Sequence, residues 1–211
     1  MDKEKEKGAV VLPENAFREL KDGETYEPLM SPNKTYREVT PWSVTWGLVM
    51  VVLFSAAAAY LGLKVGQVFE AAIPIAIIAI GLSTATHRKN ALGENVIIQS
   101  IGACSGAVVA GGIFVMPAIY MLDLQADFIK IFIAAALGGI LGILFLIPFR
   151  KYFVKDMHGK YPFPEATATT QVLVSGGEGG SQAKPLLVAG LVGGAYDFIV
   201  ATFGWWNENV T

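Results

Sequence analysis

The chain has 211 residues, 53% of them hydrophobic and only 16% charged, with a single cysteine. Residues 1–41 carry nine acids and seven bases, which leaves nine acids and nine bases for the other 170 positions. A body so poor in charge cannot keep the surface of a soluble domain wet. It has no basic excess for nucleic acid, and one cysteine makes no internal disulfide. The polar stretch before the first apolar run argues against a cleaved signal peptide, so an integral membrane protein is expected.

In chain order, residues 1–41 are expected as a polar cytoplasmic tail and 42–211 as a transmembrane helical domain. About 20 apolar residues cross the hydrocarbon core as a helix. Apolar windows of that order predict spans near 42–63, 66–86, 95–122, 130–149 and 186–206. Trp42 and Trp46 open the first and Trp205-Trp206 close the last, as interfacial aromatics do. The second is interrupted by Glu70 and Pro74. Residues 165–175 are too short to span and too apolar for an ordinary loop. They are read as a half-helix, re-entrant if sheltered by protein or a wet cavity, or alternatively as a surface amphipathic helix. The expected fold is an all-α polytopic transmembrane bundle of five spans plus a short re-entrant or broken helix.

Six Lys and Arg in the 87–93 and 150–161 loops against Lys64 and Lys130 opposite put the N-terminus in the cytoplasm. The side of the C-terminus depends on whether 165–175 crosses. Small-xxx-small spacings at Gly62/Gly66, Gly102/Gly106, Gly138/Gly142 and Gly190/Gly194 predict closely packed helices.

Three segments resemble the prokaryotic branch of the oligopeptide transporter (OPT) family. They are Tyr60-Leu-Gly-Leu-Lys-Val-Gly66 with Ala72-Ile-Pro74, Leu92-Gly-Glu-Asn-Val-Ile-Ile-Gln-Ser100 running to Gly111-Gly-Ile-Phe-Val-Met-Pro-Ala118, and Tyr161-Pro-Phe-Pro-Glu-Ala-Thr-Ala-Thr-Thr-Gln-Val-Leu173. The resemblance implies a secondary transporter for small peptides, peptide-like or metal-chelate substrates, coupled to protons, in the prokaryotic inner membrane. Such transporters have well over twice this many spans, so the chain resembles the N-terminal portion of one. Its partners would be membrane lipid, the substrate, protons, and the remaining transporter half or further copies.

An ionisable group inside a span is expensive and marks function by default. Glu70, five residues into the second apolar run, is a candidate proton or substrate-amine site, with an interfacial acid as the alternative. Asp197 sits mid-run in the last span, where a short side chain cannot reach the interface; the alternative is an acid bonded to another helix. Glu165 follows Pro164 as in an ordinary helix start. If that half-helix opens into a cavity, its N–H groups with Thr167, Thr169 and Gln171 are candidates for a peptide carboxylate, and Glu165 for a proton or ammonium. Gln99 is a candidate partner for a substrate amide or a neighbouring helix, while Glu94 reads as a complement to the helix dipole.

His87 and His158 are far apart and Cys104 is alone, so neither a metal site, a cofactor nor an enzyme is expected. Gly176-Gly-Glu-Gly-Gly180 lacks the ending of a phosphate loop and reads as a flexible link. The competing reading is a non-transporting membrane scaffold or assembly subunit, in which the acids only pair helices.

Overall fold

Pro41 can start a helix because the first turn has no use for its missing N–H, and Thr40 caps it. The Thr40 side chain accepts from Ser43 N–H while the Ser43 hydroxyl accepts from Thr40 N–H, a reciprocal capping box. The computed structural model describes residues 12–125, 127–177 and 183–203. Among these, six α-helices follow a 3-10 turn at Glu14–Ala16: α1 Pro41–Val65, α2 Ala72–Ala85, α3 Leu92–Met121, α4 Phe128–Lys151, α5 Pro164–Gly177 and α6 Ala183–Phe203. A π-helical turn, Tyr152–Asp156, extends α4.

The protein is all-α among the described residues, and three helices are long and apolar enough to cross a membrane: Pro41–Lys64, Leu92–Met121 and Phe128–Asp156. The Trp205-Trp206 end and the centre of the Gly176–Gly180 link lie outside the described residues, as does the start of the tail.

The bundle is organised by α1 and α3. Thr40 meets Glu94, Gly47 meets Ile101 and Gly62 meets Ile113, so the two helices run parallel. A Cβ at Gly47 would stand 2.9 Å from Ile101, and one at Gly62 would stand 2.4 Å from Ile113. Glycine is therefore what lets these backbones approach, as expected where lipid gives helices no hydrophobic drive to associate. Gly102 plays the same part towards Ile75 and Met50. Met50, Ala71, Ile75, Ala79 and Ile98 form the buried core.

The predicted second span, 66–86, is helical only over Ala72–Ala85. Gly66 ends α1 in the left-handed conformation, φ +77°, its N–H donating to Gly62 O at 2.9 Å. The chain then turns back and is non-helical to Ala71, and Pro74 falls in the first turn of α2, where it is tolerated. α2 runs antiparallel to α3, pairing Glu70 with Gly106, Ile75 with Gly102 and Ser83 with Asn95. At 14 residues, α2 and α5 are each roughly 21 Å long, short of a hydrocarbon core of about 30 Å.

α5 lies on α2, with Gly176 pressed against Ile80. α4 buries no residue, and Cβ atoms at Gly138 and Gly142 would meet nothing within 4 Å. The glycine spacing thus marks real contacts at Gly62, Gly102 and Gly106 but an open face on α4. The Gly190/Gly194 pair falls in α6, its packing outside the described residues.

The N-terminal segment, expected to be a solvated leader, folds back over the α4–α5 loop. Asn15 O accepts from His158 Nε2–H at 2.8 Å, and the rings of Tyr26 and His158 lie 5.1 Å apart. Gly159, at φ +73°, lies against the Arg18 backbone where any Cβ would collide with it.

Gly102→Val is expected to lower stability by about 2 kcal/mol through overpacking against Ile75 and Met50. Gly138→Ala is expected to leave it unchanged or slightly higher. Thermal unfolding in one detergent, monitored by circular dichroism, distinguishes the two.

Candidate functional site

α3 begins at Leu92, so Glu94 lies inside its first turn, with 3% of its side chain exposed. Arg88, on the α2–α3 turn, grips it through two nitrogens, Nε to Oε2 at 2.6 Å and Nη2 to Oε1, and lies 4.5 Å over the Trp42 ring. Thr40 Oγ1 donates to the same carboxylate at 2.7 Å. One acid therefore fastens the starts of α1 and α3 to the end of α2. A buried charge is tolerable only when paired and hydrogen-bonded in this way, and the pairing occupies Glu94 structurally. Below it, Asn95 Nδ2 donates to Ser83 Oγ at 3.1 Å, tying α3 to α2 inside the bundle.

Further along α3 a cavity of about 550 Å³ opens between α2, α3 and α5. Its polar lining includes Glu70, Gln99, Glu165 and Thr169, four of the residues singled out from sequence, and among the described residues no basic side chain lines it. Glu70 is not within a helix. It belongs to the non-helical stretch between α1 and α2, and its Oε2 would stand 3.3 Å from a Cβ at Gly106. Gly106 is close to the midpoint of the 30-residue α3. The break in the second apolar run therefore brings an acid, and the Phe69 carbonyl beside it, to the level of the middle of a membrane-length helix. Phe69 holds that stretch in place, edge-on to Phe54 of α1 at 6.5 Å.

The α5 candidates divide between two faces. Residues i and i+4 share a helix face, which groups Glu165 with Thr169 and Thr167 with Gln171. The first pair lines the cavity; the second borders a separate hollow of about 390 Å³ beside the α4–α5 loop. Thr169 is 5% exposed and its hydroxyl has no partner among the described residues, whereas the Thr170 hydroxyl donates back to Ala166 O at 2.7 Å. Asp197 falls within α6, with its side chain outside the described residues. Thr170 also borders the cavity, the rest of whose wall is mostly apolar, and part of that wall comes from the N-terminal segment through Tyr26, Leu29 and Met30. Sequence reasoning passed over these three because the tail was judged by its charge. Their signal was a cluster of apolar residues in an otherwise polar stretch.

That segment has its own polar knot. Arg18 donates to both Glu24 oxygens, at 2.8 and 2.9 Å, and Lys21 N–H donates to the same carboxylate at 3.0 Å. The guanidinium first, then the backbone N–H, hold the Glu24 carboxyl at about 2 against an ordinary 4.5. Since the folded value is the lower one, the knot contributes fully above about 4.5 and is lost as pH falls towards 2.

The family model described as OPT oligopeptide transporter protein matches residues 38–211. Over 144 residues the chain is 33% identical to a protein of Haemophilus influenzae named "Putative oligopeptide transporter", an alignment covering 66% of this chain and 22% of that protein. The chain thus spans about a fifth of the length of the curated relative it matches. No solved structure matches it.

Arg88→Met is expected to cost about 3 kcal/mol or more, since it leaves Glu94 buried and unpaired. Glu94→Gln should cost less, because Arg88, with 24% of its side chain exposed, keeps water and Trp42. Denaturant titration of both variants in detergent tests this order. The Glu24 carboxyl is expected to titrate near 2 by carbon-detected NMR and to return towards 4.5 in Arg18→Ala.

Proposed function

Because the chain belongs to the OPT oligopeptide transporter family, we propose that it forms the N-terminal part of a secondary carrier. That carrier moves small peptides, or peptide-like or metal-chelate substrates, across the membrane with proton coupling. The observation that carries this reading is the convergence of Glu70, Gln99, Glu165 and Thr169 on one cavity beside the non-helical stretch that precedes α2. Non-helical backbone at membrane depth is tolerated where it lines a cavity, and broken helices build substrate sites near the midplane of many carriers.

In this reading Glu70 and Glu165 exchange a proton or hold the substrate's ammonium group. The absence of a cation from the described lining leaves both carboxylates available for that role. Gln99 meets a substrate amide, and Thr169 brings a buried hydroxyl that lacks a partner. Thr167 and Gln171, on the other face of α5, extend the polar path towards the second hollow. Asp197 is a further candidate proton site on α6. The proposed topology has five spans, α2 and α6 included, with α5 re-entrant. It places the N-terminal segment in the cytoplasm and the protein in the inner membrane.

A peptide that occupies the cavity should stabilise the purified chain by about 2.7 kcal/mol at a hundredfold excess over its Kd. A di- and tripeptide panel in a thermal-shift assay is expected to contain such ligands, with the shift reduced in Glu70→Gln or Glu165→Gln. A panel that shifts wild type and both variants equally would remove those two residues from the site. A panel that shifts nothing would remove the cavity.

A further inference from the structure

The N-terminal segment is fastened at two places with the cavity between them. At one end, Asn15 O is bonded to His158, the Tyr26 ring lies tilted against the same imidazole, and the Arg18 backbone rests on Gly159. Ala16 and Phe17 enter the second hollow beside that loop. The knot of Arg18, Lys21 and Glu24 keeps this part of the segment folded upon itself. At the other end, Arg37 O and Glu38 Cγ would each stand 2.8 Å from a Cβ at Gly93, and Thr40 bonds to Glu94. Between these anchors the segment has no regular secondary structure, and its apolar Leu29 and Met30, with Leu12 and Tyr26, form part of the wall of the cavity that holds Glu70 and Glu165.

The two anchors differ in kind. The Thr40 end is continuous with α1 and shares the buried Glu94 network, so it cannot leave without unfolding the helix start. Among the described residues the His158 end rests on one hydrogen bond, one ring contact and a glycine that gives room for a close backbone approach. A local opening draws on the weakest contacts, and these are at the His158 end.

We propose that residues 12–40 form a strap across one mouth of the cavity, hinged at Thr40 and latched at His158 and Gly159, whose release regulates access to the site. The inference rests on the reading of this cavity as the substrate site, but the strap's movement can be measured without any transport. The latch also couples access to the α4–α5 loop, because whatever moves that loop moves His158 and Gly159 together. The strap is thus a part of the carrier's own chain occupying wall space that an incoming ligand would otherwise meet.

The test uses the full chain in detergent, with Cys104→Ser removing the native thiol and Ala103→Cys reporting from the cavity wall. The rate of modification by a bulky hydrophilic maleimide reads access. His158→Ala removes a latch hydrogen bond and is expected to raise that rate about fivefold, the factor set by one net bond. Gly159→Val, which collides with the Arg18 backbone, should raise it further. Should Gly159→Val fail to fold, the pair Leu29→Ser and Met30→Ser, which loosens the strap over the mouth, serves in its place with the same expectation. Unchanged rates in folded His158→Ala and in the second variant overturn the strap. The peptides of the thermal-shift panel, added to the same reaction, separate the two readings. Faster labelling that no peptide slows keeps the strap and removes the substrate site, whereas protection by peptide with unchanged latch variants keeps the site and removes the strap.

Discussion

Everything in this bundle hangs on the close parallel contact of α1 and α3. In lipid the acyl chains are as apolar as leucine, so two helices stay together through dispersion contacts, interhelical hydrogen bonds and little else. Glycines 47 and 62 of α1 give the dispersion part by letting isoleucine side chains of α3 sit against bare backbone, and Gly102 of α3 does the same for Met50 of α1. The carboxylate of Glu94 gives the polar part at one end of the seam, where Thr40 and Arg88 converge on it. Two parallel neighbours need a connection that returns across the bundle, and the segment from Gly66 to Ala85 makes it.

How that return is made determines the cavity. A straight helix would have carried the chain back beside α3 with every backbone group bonded internally and no opening. The left-handed Gly66 and the non-helical stretch to Ala71 take up the first part of the path instead, so α2 begins only at the level of Gly106. Glu70 arrives there on irregular backbone, held by the ring of Phe69 against Phe54. α5, equally short, closes the other side by pressing Gly176 on Ile80. The polar groups of the cavity thus come from a chain break, a helix start and the face of an intact helix.

The sequence showed the long helices plainly, because α1, α3 and α4 each contain an uncharged run of membrane-spanning length. It did not show the break at 67–71: Gln67 and Glu70 there, with Pro74 beyond, read as polar interruptions of one continuous span, and residue types alone do not report backbone conformation. The same limit put Glu70 inside a span. Glu70, Gln99, Glu165 and Thr169 were recognised as chemistry, yet their meeting depends on α2 and α5 packing on α3, which no local pattern encodes. Thr167 and Gln171 were grouped with Thr169 by proximity along the chain, where the helical period separates them. Glu94 was legible as a first-turn acid, but its bond to Arg88 is set by a tight turn whose residues His87 and Asn90 have positive φ. The segment before Thr40 was judged by its charge, and charge says nothing of where Leu29 and Met30 rest.

α4 is the odd member of the set. With its π-helical turn it runs 29 residues, Phe128–Asp156, with none of its apolar window buried in the chain. Its uncharged stretch, 131–149, has 19 residues, roughly 28 Å of axis, against a hydrocarbon layer of about 30 Å. In a thinner layer such a stretch relieves the mismatch by leaning, at a cost of a fraction of a kcal/mol per ångström. The other long helices have their lean fixed by neighbours within the chain, but the described contacts of α4 fix nothing. Within this chain its angle therefore answers to the thickness of the surrounding bilayer.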